Sequence, residues 1–279
     1  MDVIISAKDL RDALDRGDEG IVLVDTRTED AWRESTIPGA VFLNVYDYFV
    51  AESSETGVET MAADGWKAMR DAGIDRAARV VFFEEETGMR SPRGLWFHEL
   101  AGLAGGMILD GGLKAWNAIG GARAPGTGHP VEIDRAPSGE TRPMPPGFRR
   151  DLVATTDELL DPATGVDILD TRRPTEFDGS FAHDCCARSG RIPGSLFLFY
   201  EDMLEDGLYI PPEDIRKRVL AAGLDPARKI ITYCHRGARA ATALYGLRMA
   251  GFDNVKVYTG SWHEWAGDPA LPLETGAAD

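Results

Sequence analysis

Cysteine is scarce in this chain, at three of 279 residues. That is too few for a disulfide framework, so a reducing compartment, the cytoplasm, is the expected location. Cationic excess is also missing: 46 acidic residues face 30 basic ones, for a formal charge of -16. The balance argues against nucleic acid or an anionic membrane as the main partner. Its simplest reading is a solvated, solubilising surface, although a negative exterior around a locally cationic pocket would also select small anions. No apolar run reaches the roughly 18 residues that a membrane span needs. Met1-Asp-Val-Ile-Ile5 lacks a basic region followed by a long apolar core, so export is not expected. What is present, 43% apolar and 27% charged residues, fits a globular protein of one large or two medium domains.

In chain order, a helix is expected over Ala7 to Arg16, then the strand Gly20 to Asp25, which ends in a carboxylate. A turn at Ile37-Pro38-Gly39 leads to Val41-Phe42-Leu43, and a helix follows around Ala62 to Ala72. The run Val80 to Phe83 precedes a polar loop, Glu84 to Arg90, and a helix from about Pro92 to Leu103. Met107 to Asp110, a glycine turn and a short helix through Trp116 complete the unit. Strands alternating with helices predict an α/β fold with a mostly parallel central sheet flanked by helices. From Gly120 to Gly147 glycine, proline and charge replace apolar periodicity, which marks a surface linker.

The first pattern then returns. Asp25-Thr26-Arg27 matches Asp170-Thr171-Arg172, and Ile37-Pro38-Gly39 matches Ile192-Pro193-Gly194. Ala101-Gly102 matches Ala250-Gly251 and Gly111 matches Gly260, each 149 residues apart. The chain therefore reads as a tandem duplication: residues 1–122, a linker over 123–147, and residues 148–279.

The two copies differ at one loop. In the second, the apolar run Lys229 to Tyr233 ends in Cys234-His235-Arg236-Gly237-Ala238-Arg239 and leads directly into a helix-like stretch. A sulfur on a sharp strand-to-helix turn faces converging backbone N–H groups, and nearby cationic side chains favour a thiolate. The first copy has Glu84-Glu85-Glu86 there, and a carboxylate cannot act as a sulfur nucleophile. The chemistry is thus expected in the second copy, with the first as a non-catalytic partner. A thiolate in an anion cradle suits attack on a phosphoryl group or on the outer sulfur of a sulfane-sulfur donor. Four residues separate Cys234 from Arg239, one fewer than in the Cys-x5-Arg loop of the phosphatases it resembles, which favours sulfur.

With its inactive first copy, its Asp-Thr-Arg strand ends, its Arg191-Ile-Pro-Gly194 turn, its six-residue loop and its closing Gly260-Ser261-Trp262, the chain resembles the two-domain rhodanese family of sulfurtransferases over nearly its full length. The resemblance implies that Cys234 takes the terminal sulfur of thiosulfate as a persulfide, releases sulfite, and passes the sulfur to cyanide or a thiol, including a protein thiol. Thiosulfate-type members resemble Cys-Arg-Lys-Gly-Val-Thr and mercaptopyruvate-type members Cys-Gly-Ser-Gly-Val-Thr; Cys-His-Arg-Gly-Ala-Arg matches neither, and its cationic rim favours thiosulfate. Glu176 stands where the mercaptopyruvate type would offer a carboxylate-binding arginine, with Arg188 or Arg191 as substitutes. A mercaptopyruvate-preferring enzyme and a persulfide carrier are the alternatives.

His235, Arg236, Gly237, Ala238 and Arg239 are the expected substrate-binding residues, together with Arg188 and Arg191. Asp25 and Asp170 occur in both copies, so they are expected to brace Arg27, Arg172 or loop amides. Trp262, His263 and Trp265 are expected to cap the core under the loop, and His98 to be a helix residue at the sheet. Cys185 and Cys186, beside His183 and Asp184, could ligate a metal or resolve a persulfide, yet the Cys-x2-Cys spacing is absent and an ordinary loop is the favoured reading. No cofactor and no metal are expected, and since duplication already supplies a second domain, a monomer is.

Overall fold

β-Branched and aromatic runs alternate with helix-length stretches in both halves of the sequence. In the computed structural model, which describes residues 3–137, 140–161 and 165–276, they form two compact α/β units. The first gathers the chain up to Tyr48 with Glu59–Arg149 and Leu204–Tyr209; the second gathers Phe49–Val58, Arg150–Met203 and the chain from Ile210 onward.

The strands of the first sheet are β1 (Ile4–Ile5), β2 (Ile21–Asp25), β3 (Val41–Asn44), β4 (Arg79–Phe83), β5 (Gly106–Leu109) and β6 (Val131–Glu132), in the order β1-β5-β4-β2-β3-β6. Every pairing is parallel. Parallel strands are covered on both faces, which explains why Val80 to Phe83 is apolar without alternation and wholly buried. The helix Ser91–Leu100 lies next in sequence, and Gly94 lets it approach closely: a Cβ there would meet the Phe82 ring at 2.7 Å. His98, on this helix, is buried against the same ring, and burial pushes its imidazole down to about 4.

The expected linker is more than a surface strap. Val131–Glu132 adds an edge strand beside β3, and Arg142 is buried with its guanidinium 2.8 Å from Asp64. Asp134 also pairs with Arg142, so this buried guanidinium finds ionic partners within the unit.

The second sheet contains β7 (Val153–Ala154), β8 (Asp167–Asp170) and β9 (Leu196–Phe197). After a hairpin of β10 (Leu204–Glu205) and β11 (Leu208–Tyr209), which clusters with the first unit, it is completed by β12 (Ile230–Tyr233) and β13 (Val255–Tyr258). The order is β7-β13-β12-β8-β9, again parallel throughout. Tyr233 lies opposite Asp170 in register, so β12 and β8 end side by side. Residues after Tyr233 thus emerge at the carboxyl edge of the sheet, where open α/β sheets place their sites. The helix Ala238–Met249 that follows is buried from Ala240 through Leu247 and packs on β12 and β13. Four alanines in its first six residues give it the slim profile that close packing needs. Among the described residues, no helix is long and apolar enough to cross a membrane.

Candidate active site

Three consecutive anchors fix the loop after β12. Thr171 donates its N–H (3.0 Å) and its hydroxyl (2.8 Å) to the Tyr233 carbonyl. The Cys234 N–H donates to Ser261 Oγ at 3.2 Å, and its carbonyl accepts the Trp262 N–H at 2.9 Å. The His235 carbonyl accepts the His263 N–H at 3.1 Å. Ser261 is held in the left-handed region at φ 51°, uncommon for a residue with a Cβ, and its hydroxyl also donates to the Tyr258 carbonyl.

Inside the turn, the Gly237 N–H donates to Cys234 Sγ at 3.1 Å. Gly237 sits at φ 87°, the conformation that glycine alone adopts cheaply, and Ala238 opens the helix behind it. Cys234 is almost fully buried, with its sulfur on a backbone donor at the start of the helix.

The first unit repeats this scaffold with other chemistry. Thr26 donates to the Phe83 carbonyl as Thr171 does to that of Tyr233. The Glu84 and Glu85 carbonyls accept from Leu113 and Lys114, as those of Cys234 and His235 accept from Trp262 and His263. In place of the sulfur stands the buried Glu84 carboxylate, which accepts from the Arg90 N–H, the Ser91 N–H and the Ser91 hydroxyl. Burial raises its pKa against the pull of those donors. The strand-end aspartates brace their neighbours in both units: Asp25 binds the Arg27 guanidinium and the Thr36 hydroxyl, and Asp170 binds the Arg172 guanidinium and the Tyr233 hydroxyl. Trp262 is buried under the loop, with Arg172 over its ring and its own indole N–H on the Arg188 carbonyl.

The cationic residues are more engaged than the sequence suggests. Arg239 makes a two-pronged ion pair with Glu176, at 2.6 and 2.9 Å. Burial opposes the Glu176 charge, but the Arg239 hydrogen bond outweighs it and holds the carboxyl down at about 2. Glu176 also bonds His183 at 3.0 Å, and His183 stacks on His235 with ring centroids 4.0 Å apart and planes 8° from parallel. Burial, helped by His183 and the loop arginines, pushes the His235 imidazole down to about 3, so the ring is neutral at ordinary pH. Arg236 lies over the Phe49 ring at 4.0 Å and donates to Cys185 Sγ at 3.3 Å.

Cys185 and Cys186 meet the residue that follows Cys234. Both sulfurs lie 3.4 Å from His235 Nε2. Burial pushes the Cys186 thiol up to about 12, with the adjacent Cys185 adding to the shift. Arg188 donates to the carbonyls of Trp265, Ala266, Asp268 and Leu271, and Arg191 to the Gly276 carbonyl and the Glu274 carboxylate. Both guanidinium groups are therefore committed to fastening the end of the chain.

Sequence reasoning missed Ser261 as the acceptor for the Cys234 amide and Glu176 as the partner of Arg239. The left-handed Ser261 has a weak signal, its place opposite Gly112, which takes φ 52° in the first unit. Glu176 stands out in the sequence only as the place where the mercaptopyruvate type would offer an arginine, which does not point to Arg239.

The family profile of the Rhodanese-like domain matches the chain twice, over residues 6–119 and 155–268. A probable 3-mercaptopyruvate sulfurtransferase of Pseudomonas aeruginosa is 30% identical over 261 residues, covering 88% of this chain and 86% of that protein. A thiosulfate sulfurtransferase of Corynebacterium glutamicum is 31% identical over 222 residues, covering 75% of this chain and 70% of its own. Among solved structures, YnjE superposes with a TM-score of 0.78 at 22% identity, covering 99% of this chain and 69% of that one, a likeness of fold.

Proposed function

The chain belongs to the rhodanese-like family, carrying its domain twice, and on that premise we propose that it is a sulfurtransferase in which Cys234 carries the sulfur. The observation that supports this most is the Gly237 N–H on Cys234 Sγ at 3.1 Å, inside a turn whose next residue starts a helix. The Cys234 thiolate attacks the outer sulfur of thiosulfate; the S–S bond of the donor breaks and sulfite leaves with its electron pair. A persulfide anion remains on Cys234, and cyanide or a thiolate attacks its outer sulfur and returns the Cys234 thiolate. Loop N–H groups stabilise the negative outer sulfur in the interval.

Thiosulfate is favoured over mercaptopyruvate because Arg188 and Arg191, the substitutes for a carboxylate clamp, are committed to backbone carbonyls and Glu274. Free thiols suit a reducing cytoplasm, and the chain is proposed to act there as a monomer. As a second reading, the Glu176–Arg239 pair favours a persulfide carrier loaded by a donor protein, since it neutralises a cation that a small dianion would use.

Intact mass after thiosulfate treatment tests the proposal. A one-sulfur adduct is expected on the wild type and not on Cys234→Ser. Absence of the adduct with both thiosulfate and mercaptopyruvate overturns small-donor turnover, and faster turnover of mercaptopyruvate overturns the donor preference.

A further inference from the structure

Cys185, Cys186 and His235 bring two sulfurs and one imidazole nitrogen together, all within 4.8 Å of one another. The grouping was not visible in the sequence, where His183 and Asp184 stand beside the cysteines and His235 lies 50 residues from Cys185. We propose that these three side chains form a binding site for a thiophilic cation, and that monovalent copper is the ion it suits.

The distances fit such an ion. A metal bonded to sulfur at about 2.3 Å and to imidazole nitrogen at about 2.0 Å holds the two atoms roughly 3.5 to 3.7 Å apart across an angle of about 110 to 120°. The two sulfur-to-nitrogen distances are both 3.4 Å. A cation between these atoms would therefore need only small adjustments of the side chains. The stacked His183 ring, itself tied to Glu176, fixes the plane of His235 and directs Nε2 at the sulfurs.

The donor set selects the ion. Two sulfurs and an imidazole, with no carboxylate among them, suit soft cations over magnesium or calcium. Coordination number then separates copper from zinc. Structural zinc takes four protein ligands, and zinc held by three keeps an open fourth position for water or substrate, whereas two sulfurs and an imidazole complete a three-coordinate set for Cu(I). Two thiolates, a neutral imidazole and Cu(I) sum to one negative charge, beside which the Arg236 guanidinium lies 3.3 Å from Cys185 Sγ. Binding releases the thiol protons to solvent as the metal–sulfur bonds form, and no redox change is required. Because His235 follows Cys234 directly, the bound ion would tie the nucleophile's loop to the Cys185–Cys186 segment.

Anaerobic titration with Cu(I) against a chromophoric chelator tests the site, with X-ray absorption to identify the donor atoms. One equivalent is expected, with two sulfurs and one nitrogen around the metal. Substituting both cysteines, Cys185→Ser with Cys186→Ser, should weaken binding by about 100-fold or more. Cys185→Ser alone changes an exposed residue and tests the site with little risk to folding. Cys234→Ser should bind as the wild type does. Absence of uptake, uptake that survives loss of both cysteines, or uptake that depends on Cys234 overturns the site. Tighter uptake of Zn(II) than of Cu(I) at matched competition overturns the assignment to a monovalent ion.

Discussion

Glu176 holds the Arg239 guanidinium through both carboxylate oxygens, and the same carboxylate anchors His183 against His235. One buried acid thereby sets the charge and the geometry of a loop 63 residues further along the chain. Glu176→Ala leaves Arg239 without its ionic partner in a nearly closed pocket, and removing one member of a buried pair costs about 3–5 kcal/mol. The urea midpoint of Glu176→Ala is expected to fall accordingly, while any activity that survives should show a lower KM for thiosulfate, because Arg239 is released to the anion. An unchanged midpoint refutes the structural role.

The pH dependence of that pair has a definite sign. Glu176 titrates at about 2 in the folded chain against an ordinary value of 4.5, so its folded form is favoured as the anion. The stability it contributes is complete above about pH 4.5 and disappears as the pH falls toward 2. Wild type and Glu176→Gln should therefore differ in stability at pH 7 and converge over that window. A constant difference across the window contradicts the assignment.

Ser261 offers a separation of chemistry from folding. Ser261→Ala removes the acceptor of the buried Cys234 N–H, and an unsatisfied buried donor costs about 1–3 kcal/mol. Ser261→Gly loses the same bond but relieves the left-handed backbone. Stability should rank wild type above glycine and glycine above alanine, with persulfide formation slowed in both variants; stopped-flow transfer to cyanide and thermal melts give the two readouts.

Gly237→Ala forces a Cβ onto a backbone at φ 87°, costing about 1–2 kcal/mol. The chain should remain folded, since the helix behind it is buried along most of its length. The amide that points at Cys234 Sγ should shift, and the one-sulfur adduct should decline several-fold at equal thiosulfate concentration.

Arg188 donates to four carbonyls near the end of the chain, so Arg188→Ala should lower stability by about 3 kcal/mol or more. The ratio of thiosulfate to mercaptopyruvate turnover should stay as in the wild type. A selective loss of mercaptopyruvate turnover would instead make Arg188 a substrate clamp.

The duplication, the parallel sheets and the Cys234 turn were legible because they depend on local pattern. The run up to Tyr233 is apolar, Gly237 supplies a left-handed residue where the turn requires one, and Asp170-Thr171-Arg172 reproduces Asp25-Thr26-Arg27. What escaped depends on where long side chains point once the sheet has formed. Arg236 and Arg239 read in sequence as substrate-binding cations, with a carboxylate partner as the alternative; Arg239 meets Glu176, and Arg236 meets Phe49 and Cys185, across long stretches of chain. Arg142 illustrates the same limit: in a stretch rich in glycine and proline it reads as a surface charge, while its partner Asp64 lies 78 residues earlier.

The Glu84 carboxylate stands in the first unit where the second has its sulfur, and it accepts three hydrogen bonds from the residues that open the next helix. The first copy is in this sense self-liganded: a side chain of its own fills the turn that in the second is built around a sulfur. A tethered acceptor thus satisfies the donors that open the helix without any visitor, and the turn keeps its shape from within the chain.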